Sequence, residues 1–467
     1  MSLRLGLLCL FCLLTLSGCV YYGDIHGNAK SLTVRRLATH HIYQIPAKHT
    51  DANGWGMFND PQLNQLITIA LADSPNMQIA KTRVRRAQHL AEGMVAPLWP
   101  SVDLSGYVQR QRFAEFGLIP PPFNGRTFNI GEVGLNFNYE FDFWGKNRQL
   151  LAARISEECA AQYDLAESRL LISAAVANTY FQLLSDMAQV QLAKENLQQT
   201  QRISNIVVDR ASHGIESDIP VKTALANAQS ARLSIEQFKL AEIQAKNQLA
   251  VLLGKNPFTT EIDTRHFAYY QHIITLPASL TVNLIAHRPD IAAAKLRVEA
   301  AAHQINVAKA GFFPDINLSA LLSYQSAGLG HLFNVGSQNN AITGAIDLPI
   351  FDAGARRANL GVKYAEYDLA VNDYNQTILT ALREVADQQA TLKAVGAQLR
   401  AQHEALQATA HNYKLFRSRY NHGIVDYVQV LEIKQLLLQQ QATLINLQAR
   451  HLQATVTLLK ALGTWPQ

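Results

Sequence analysis

The sequence contains one pattern twice, and the two copies lie about 210 residues apart. Ser74-Pro75-Asn76 starts the first copy and Arg288-Pro289-Asp290 starts the second. Further pairs follow in the same order: Trp99-Pro100 with Phe313-Pro314, Arg210 with Arg419, and Leu253-Gly254 with Leu462-Gly463. The chain therefore uses one structural unit twice, and any fold assigned to it must accommodate two similar halves.

Within each copy the pattern predicts a helix, two strands and a long helical hairpin. Val102 and Leu104 alternate with Asp103 and Ser105, and the same period of two recurs in three other segments. The predicted strands cover roughly residues 101–111, 131–143, 315–325 and 341–351. Strands of about ten residues with one apolar and one polar face are typical of outer-membrane β-barrels.

The same alternation also occurs in the half-buried strands of soluble proteins. A second feature favours the membrane, because aromatic side chains gather at the helix-side ends of the strands, as in an interfacial girdle. These residues are Trp99, Phe143, Trp144, Phe312, Phe313 and Phe351.

Long helices follow each pair of strands. From Gly145 to Ser212 the chain has no proline and no internal glycine, and about 67 such residues would form about 100 Å of helix. A matching segment runs from Gly354 to Asn421. Each ends in a polar turn with glycine, near 211–220 and 420–428, before a helix that runs back. The fold class predicted is mostly α with a membrane β-barrel.

The N-terminus predicts a lipoprotein. Arg4 precedes an apolar segment that is too short to span a bilayer, and Leu16-Ser17-Gly18-Cys19 resembles a bacterial lipobox, in which Cys19 becomes acylated. Val20 favours sorting to the outer membrane, and an ordinary secretory signal is the alternative. The domains expected are a signal peptide (1–18), an anchored segment (19–58), repeat 1 (59–254), an equatorial linker (255–283), repeat 2 (284–463) and a tail (464–467).

Composition and motifs exclude several functions. The formal charge of +5 is small and its lysines and arginines are scattered, so a nucleic-acid-binding surface is not expected. After the signal, no apolar stretch is long enough for a transmembrane helix. Phosphate-binding glycine loops, metal-binding motifs and nucleophile elbows are missing, so we predict neither an enzyme nor a cofactor. Once the predicted signal and acylation have removed three cysteines, Cys159 has no partner for an intrachain disulfide.

Four strands cannot close into a barrel. An open sheet edge in hydrocarbon leaves backbone N–H and C=O groups unpaired, at several kcal/mol each. The edges must therefore pair with other copies of the chain. Two copies would give a lumen filled by side chains, whereas three copies would leave room for a solute.

The chain resembles the TolC-type outer-membrane factor family, in its lipoprotein branch similar to OprM and NodT. The repeat carries the resemblance together with three motifs: Phe141-Asp142-x-Trp144-Gly145-Lys146, Pro349-Ile350-Phe351-Asp352-Ala353-Gly354-Ala355-Arg356 and Arg419-Tyr420-x-x-Gly423. The resemblance implies a homotrimer with a 12-stranded barrel and a 12-helix periplasmic tunnel. It also implies a tripartite efflux pump for drugs and other small molecules, with a periplasmic adaptor (membrane fusion protein) and an inner-membrane transporter. The alternatives are the exit duct of a type I protein secretion system and a periplasmic coiled-coil lipoprotein that forms no channel.

The resemblance also assigns roles to residues of the two turns. In the family these turns contact the adaptor, which here corresponds to His213, Gly214, Ile215, Glu216, Ser217 and Asp218, and to Asn421, His422, Gly423, Ile424, Val425 and Asp426. A periplasmic gate is expected at Tyr420, Val428 and Glu432. In the family, aspartate is commoner than Glu432 at its position, and Gln435 stands where an arginine often pairs with that acid, so the resemblance implies a weaker gate.

The polar phase of the strands carries several carboxylates, and we expect them to line the barrel lumen. They are Asp103, Glu140, Asp142, Asp315 and Asp347. A pore lined by carboxylates should prefer cations.

Overall fold

The computed structural model describes residues 25–32, 54–259 and 288–463. The predicted signal peptide, Cys19, most of the linker and the C-terminal tail lie outside these ranges. The described residues divide into two compact units. One, here called the sheet unit, comprises residues 25–31, 83–162 and 293–375. The other, called the hairpin unit, comprises the remaining described residues.

The order of elements is the same in both halves of the chain. The first half contains α1 (Pro61–Asp73), α2 (Pro75–Gly93), β1 (Ser101–Arg112), β2 (Thr127–Phe141), α3 (Lys146–Ser212) and α4 (Asp218–Leu252). The second contains α5 (Pro289–Ala310), β3 (Asp315–Ser326), β4 (Gln338–Asp347), α6 (Ala355–Asn421) and α7 (Tyr427–Ala461). The long helices match in length, because α3 and α6 each have 67 residues and α4 and α7 each have 35.

The sheet unit contains one antiparallel sheet with the strand order β1-β2-β3-β4. Asp103 lies opposite Asn136, Glu140 opposite Asn317, and Asp315 opposite Asp347. Because directly opposed residues share a face, Asp103, Glu140, Asp315 and Asp347 lie on one face of the sheet. The other face carries apolar side chains that are largely exposed, among them Leu104 at 74% and Ile342 at 82%.

β1 and β3 match the predicted ranges to within one residue, whereas β2 and β4 differ by more. β2 begins at Thr127, because Thr127 pairs with Arg112 in the ladder, and it ends at Phe141. β4 covers Gln338–Asp347, and it stops before Pro349, which has no N–H to donate to a ladder. The observed register agrees with the predicted period of two, but alternation alone does not show where pairing begins.

The N-terminal stretch 25–32 contacts α6 in the sheet unit. The backbone N–H groups of Asn28 and Ala29 donate hydrogen bonds to the Asp368 carboxylate, at 2.8 and 2.9 Å. The backbone carbonyl of Lys30 accepts a hydrogen bond from the Asn375 side chain at 2.9 Å. These contacts fix the path of the chain shortly after the predicted lipid anchor.

The hairpin unit has a core in which α1, α3, α4 and α7 meet. Tyr180 and Phe181 are fully buried, together with Leu249 and Val456. The Tyr180 hydroxyl donates to the Asp60 carboxylate at 2.8 Å, and Asp60 also caps α1. Among the described residues, no helix combines the length and apolar character that crossing a membrane requires.

Candidate functional site

The two turns of the hairpin unit have the same backbone geometry. In the first turn Gly214 has φ +75°, its N–H donates to Ala211 O, and Ile215 N donates to Arg210 O. In the second, the equivalent bonds run from Gly423 to Tyr420 and from Ile424 to Arg419, and Gly423 has φ +70°. Both helices therefore end in a Schellman motif, which requires the left-handed conformation that glycine adopts without strain.

Histidine occupies the same position in both turns. His213 Nδ1 lies 2.8 Å from Asp209 O, and His422 Nδ1 lies 2.8 Å from Ser418 O. Because a carbonyl oxygen only accepts, each Nδ1 carries the proton. Each of these carbonyls already accepts a hydrogen bond from the backbone N–H of the same histidine, so the imidazole adds a further hydrogen bond at the helix end, and this role accounts for its position without a bound ligand.

The remaining predicted docking residues lie at the surface of the turns. Ile215 and Ile424 are both 66% exposed, although an apolar residue at this place in a Schellman motif commonly packs against its own helix. Ser217 is the N-cap residue of α4 and makes no side-chain cap bond, whereas Asp426 accepts a hydrogen bond from Val428 N at 3.2 Å. Each turn thus presents an exposed isoleucine on a backbone that the hydrogen bonds of the Schellman motif hold in place.

An ion pair joins the two turns. The Arg210 guanidinium, near the end of α3, donates to the carboxylate of Asp426 at the start of α7. The same guanidinium lies 3.8 Å from the carboxylate of Glu216. The Val428 N–H and the Arg210 guanidinium both hold the pKa of Asp426 below its usual value. The sequence had shown Arg210 as the counterpart of Arg419, but it gave no signal for its partner.

Two of the three predicted gate residues share one face of α7. Val428 and Glu432 are one helical turn apart, and Glu432 is exposed, with a carboxylate that makes no hydrogen bond or salt bridge to any described residue. Tyr420 does not contact them by a hydrogen bond; its ring instead packs on Tyr427, with centroids 4.9 Å apart. Gln435 lines a cavity of about 240 Å³ between α3, α4 and α7. Near the start of α7, each chain therefore has one apolar side chain, Val428, and one acidic side chain, Glu432.

The carboxylates predicted for the lumen differ in their partners: two have none, two share a lysine, and Asp142 bonds to a helix N-terminus. The carboxylates of Asp103 and Asp347 make no hydrogen bond or salt bridge with other described residues. Glu140 and Asp315 both pair with the Lys146 ammonium, at 3.1 and 3.4 Å. Lys146 therefore neutralises part of their charge, a role that the sequence pattern did not predict.

Asp142 requires a correction, because it lies beyond the end of β2. Its carboxylate accepts hydrogen bonds from the backbone N–H groups of Asn147 and Arg148, at 3.1 and 2.9 Å. Asp352 does the same for α6, where it accepts from Arg356 N at 3.1 Å. Both aspartates satisfy N–H groups at the start of a 67-residue helix. Asp142 is therefore a helix cap and does not belong to the polar face of the sheet.

Taken together, these residues are suited to contact with another protein and to lining a passage for solutes. In the part of the chain that the structure describes, no cluster of three or more histidine, cysteine, aspartate or glutamate residues is arranged to bind a metal ion. The features found instead are two rigid turns with exposed isoleucines, an acidic position on α7, and a sheet with one apolar and one polar face.

Solved structures share this arrangement of a four-stranded sheet and paired long helices. The outer membrane protein VceC of Vibrio cholerae is 33% identical, with a TM-score of 0.78 over 89% of this chain and 100% of VceC. The outer membrane channel CmeC of Campylobacter jejuni, at 23% identity, matches the fold with a TM-score of 0.82 over 95% of each chain. The fold is that of the TolC-like outer-membrane channels.

Sequence comparisons define the family. A family model described as outer membrane efflux protein matches residues 66–255 and 280–464, which include most of both repeats. The multidrug resistance outer membrane protein MdtQ of Escherichia coli O157:H7 is 29% identical over 474 residues, covering 97% of each chain. The chain belongs to the outer membrane efflux protein family. It is thus an outer-membrane component of an efflux system, as the resemblance had implied.

Proposed function

We propose that three copies of this chain form a continuous duct, with a 12-stranded barrel in the outer membrane and a 12-helix tunnel in the periplasm. One observation carries the proposal: among the described strands, β1 and β4 each pair with a single neighbour, so the sheet has two open edges. In hydrocarbon such edges must be paired, and a further copy of the chain supplies the missing strand.

The direction of the strands supports cyclic closure. Because neighbours alternate in direction through the order β1-β2-β3-β4, β4 of one copy and β1 of the next are antiparallel. Each junction is then the same as the next, which is the condition for a closed ring. The exposed apolar face, with Leu104 and Ile342, then contacts lipid, and the face with Asp103 and Asp347 surrounds the lumen.

The turns are proposed as the docking site for a periplasmic adaptor, which links the duct to an inner-membrane transporter. Exposed isoleucine at the same place in both turns supports this role. Val428 and Glu432 then form the narrow end of the duct, and adaptor binding opens it. Acylated Cys19 anchors each copy in the lipid, and the contacts of Asn28 and Ala29 with Asp368 hold the following segment on α6.

The proposed cargo is small molecules, including drugs. MdtQ is named for multidrug resistance, and in this proposal the inner-membrane transporter determines what is exported.

The test is the purified, acylated protein in detergent and in planar bilayers. A trimer that dissociates on heating before electrophoresis, together with steady ion conductance, is the expected result. A monomer that conducts no ions would contradict the duct.

A further inference from the structure

The loop between β3 and β4, residues 327–337, folds back onto the sheet. Leu332 of this loop is buried, and a Cβ on Gly131 of β2 would lie 3.4 Å from its Cδ2 atom. The Phe333 ring packs on Tyr324 near the end of β3, with centroids 6.3 Å apart. The β3–β4 loop is therefore held against the ends of two neighbouring strands.

The β3–β4 loop packs on the apolar face of the sheet. Tyr324 lies opposite Val133, and both belong to the set of alternate side chains that includes Leu104 and Ile342. Gly131 is two residues before Val133, so its Cβ side is on the same face. The loop thus continues the surface that the proposed duct turns towards lipid.

The polar groups of the β3–β4 loop find many of their partners within the loop. Four backbone N–H groups donate to carbonyl oxygens of the same segment, at 2.9–3.3 Å: those of His331, Leu332, Asn334 and Ser337. The Ser337 hydroxyl donates to the His331 carbonyl at 2.7 Å, and the Asn334 amide nitrogen lies 3.2 Å from His331 Nδ1. A segment beside hydrocarbon requires such internal partners, because lipid chains offer none.

The β3–β4 loop leaves large apolar side chains exposed. Phe333 is 74% exposed and Val335 is 81% exposed. In addition, the sequence from Ile316 to Ile346 contains no aspartate, glutamate, lysine or arginine. The loop therefore hydrogen-bonds its own polar groups and presents uncharged, apolar side chains to its surroundings, which is the pattern expected next to lipid.

The loop between β1 and β2, residues 113–126, differs in both respects. Its Phe123 packs on Phe128 of β2, with ring centroids 5.4 Å apart, and Phe128 lies on the face that carries Asp103. The β1–β2 loop also contains two charged residues, Glu115 and Arg126. The two loops thus pack on opposite faces of the sheet, and the β3–β4 loop is the one on the apolar face.

We propose that the β3–β4 loop is a lipid-binding surface, and that its Phe333 and Val335 side chains insert among the acyl chains of the outer leaflet. The inference rests on the proposed function, because a sheet inserted in the outer membrane brings the apolar face next to lipid. The loop joins the strand ends away from α5 and α6, which places it at the outer leaflet. Its irregular backbone stays at the level of the headgroups, and the two side chains reach the hydrocarbon.

The test places a nitroxide spin label on the full-length, acylated protein in phospholipid vesicles. Labels are attached to Phe333→Cys or to Phe116→Cys, each in a Cys159→Ser background. Phe116 is the matched control, because it is an exposed phenylalanine on the β1–β2 loop. Oxygen concentrates in acyl chains, whereas a nickel chelate stays in water. The ratio of collisions with oxygen to collisions with the chelate should be several-fold higher at position 333 than at position 116.

A third label, at Ile342→Cys on the apolar face of β4, separates this inference from the duct. If position 342 reports lipid and position 333 reports water, the loop assignment is wrong and the duct stands. If position 342 reports water, the proposed barrel fails and the loop assignment fails with it. A label at 333 that meets neither reagent would place the loop against another protein surface, which also overturns the proposal.

Val335→Cys is a second reporter on the same loop, in case Phe333→Cys disturbs the packing on Tyr324. Its label should give the same high ratio of oxygen to chelate collisions as the label at 333. Equal ratios at positions 335 and 116 would contradict insertion of the β3–β4 loop.

Discussion

Arg210, in the last turn of α3, forms an ion pair with Asp426, the residue that caps α7. This pair joins the two turns of the chain, which are 216 positions apart in sequence. The second repeat has no copy of it, because the side chain of Arg419 is exposed and makes no hydrogen bond or salt bridge with the other described residues. The ion pair between Arg210 and Asp426 is therefore present in the folded hairpin unit only once, although the turns themselves are repeated.

We predict that breaking this link opens the duct. Both side chains are partly exposed, so one pair contributes roughly 0.5–1 kcal/mol, and three equivalent pairs would shift a concerted equilibrium by about 10- to 100-fold. Arg210→Ala should raise the open fraction in planar-bilayer recordings. Arg419→Ala is the matched control and should behave as wild type.

A double variant checks that charge is responsible. Arg210→Asp combined with Asp426→Arg should close the duct again, whereas either change alone should leave it open. If Arg210→Ala and Arg419→Ala give equal currents, the link has no part in closure.

Mild acid should not release the link. The pKa of Asp426 is held below its ordinary value of 3.8, because Val428 N–H and Arg210 favour the carboxylate. A lowered pKa adds stability that is present above the ordinary value and is lost as the pH falls through the folded one. Conductance of the wild-type protein should thus be unchanged down to about pH 5. A rise in open fraction near neutrality would show that another group controls the turns.

Cysteine placed at position 428 should cross-link between copies. The proposed gate in the proposed trimer would put three Val428 side chains near one axis, so Val428→Cys in a Cys159→Ser background should give covalent oligomers after mild oxidation. Gln429→Cys is the control, because it points about 100° away around α7. Equal cross-linking of the two variants would contradict the gate.

The duct should prefer cations, and two carboxylates should account for most of the preference. Asp103 and Asp347 are unpaired among the described residues, whereas Lys146 pairs with both Glu140 and Asp315. Replacing Asp103 and Asp347 together by asparagine should therefore shift the reversal potential in a salt gradient towards zero. Replacement of Lys146 by glutamine should shift it the other way. Anion preference in the wild type would exclude the proposed lumen face.

The aspartates at the strand exits should affect stability rather than conduction. Asp142→Ala and Asp352→Ala each remove a helix cap, at a cost of about 1 kcal/mol, which corresponds to about 2–4 °C in the unfolding temperature. Circular dichroism during heating should detect this loss. Asp103→Asn is the control, and its melting temperature should match the wild type.

The sequence contained the information for the regular parts of the fold. The period of two at Val102 and Asp103 agrees with the observed register, and the long segments without proline agree with α3 and α6, although α6 contains Gly361 and Gly396. It could also have revealed the role of Asp142, because an aspartate shortly before a helix is a capping signal. The alternating pattern placed Asp142 on the sheet, because Asp142 continues the period of two from Glu140. Such a period does not show where a strand ends.

Contacts between distant residues could not be predicted in the same way. Arg210 and Asp426, or Arg288 and Glu384, meet only when separate helices have packed, and nothing in their local sequences marks the partner. Local patterns thus predicted elements and turns, while the ionic links required the folded chain.

The equal lengths of the paired helices restrict how related chains can vary. Because Arg210 of one hairpin reaches Asp426 of the other, an insertion in a single hairpin would carry one turn past its neighbour and break the pair. Insertions and deletions are therefore expected to be inherited together in all four long helices, in steps of about seven residues that preserve the packing seam. A chain of this kind can lengthen or shorten only by coordinated change in both of its halves.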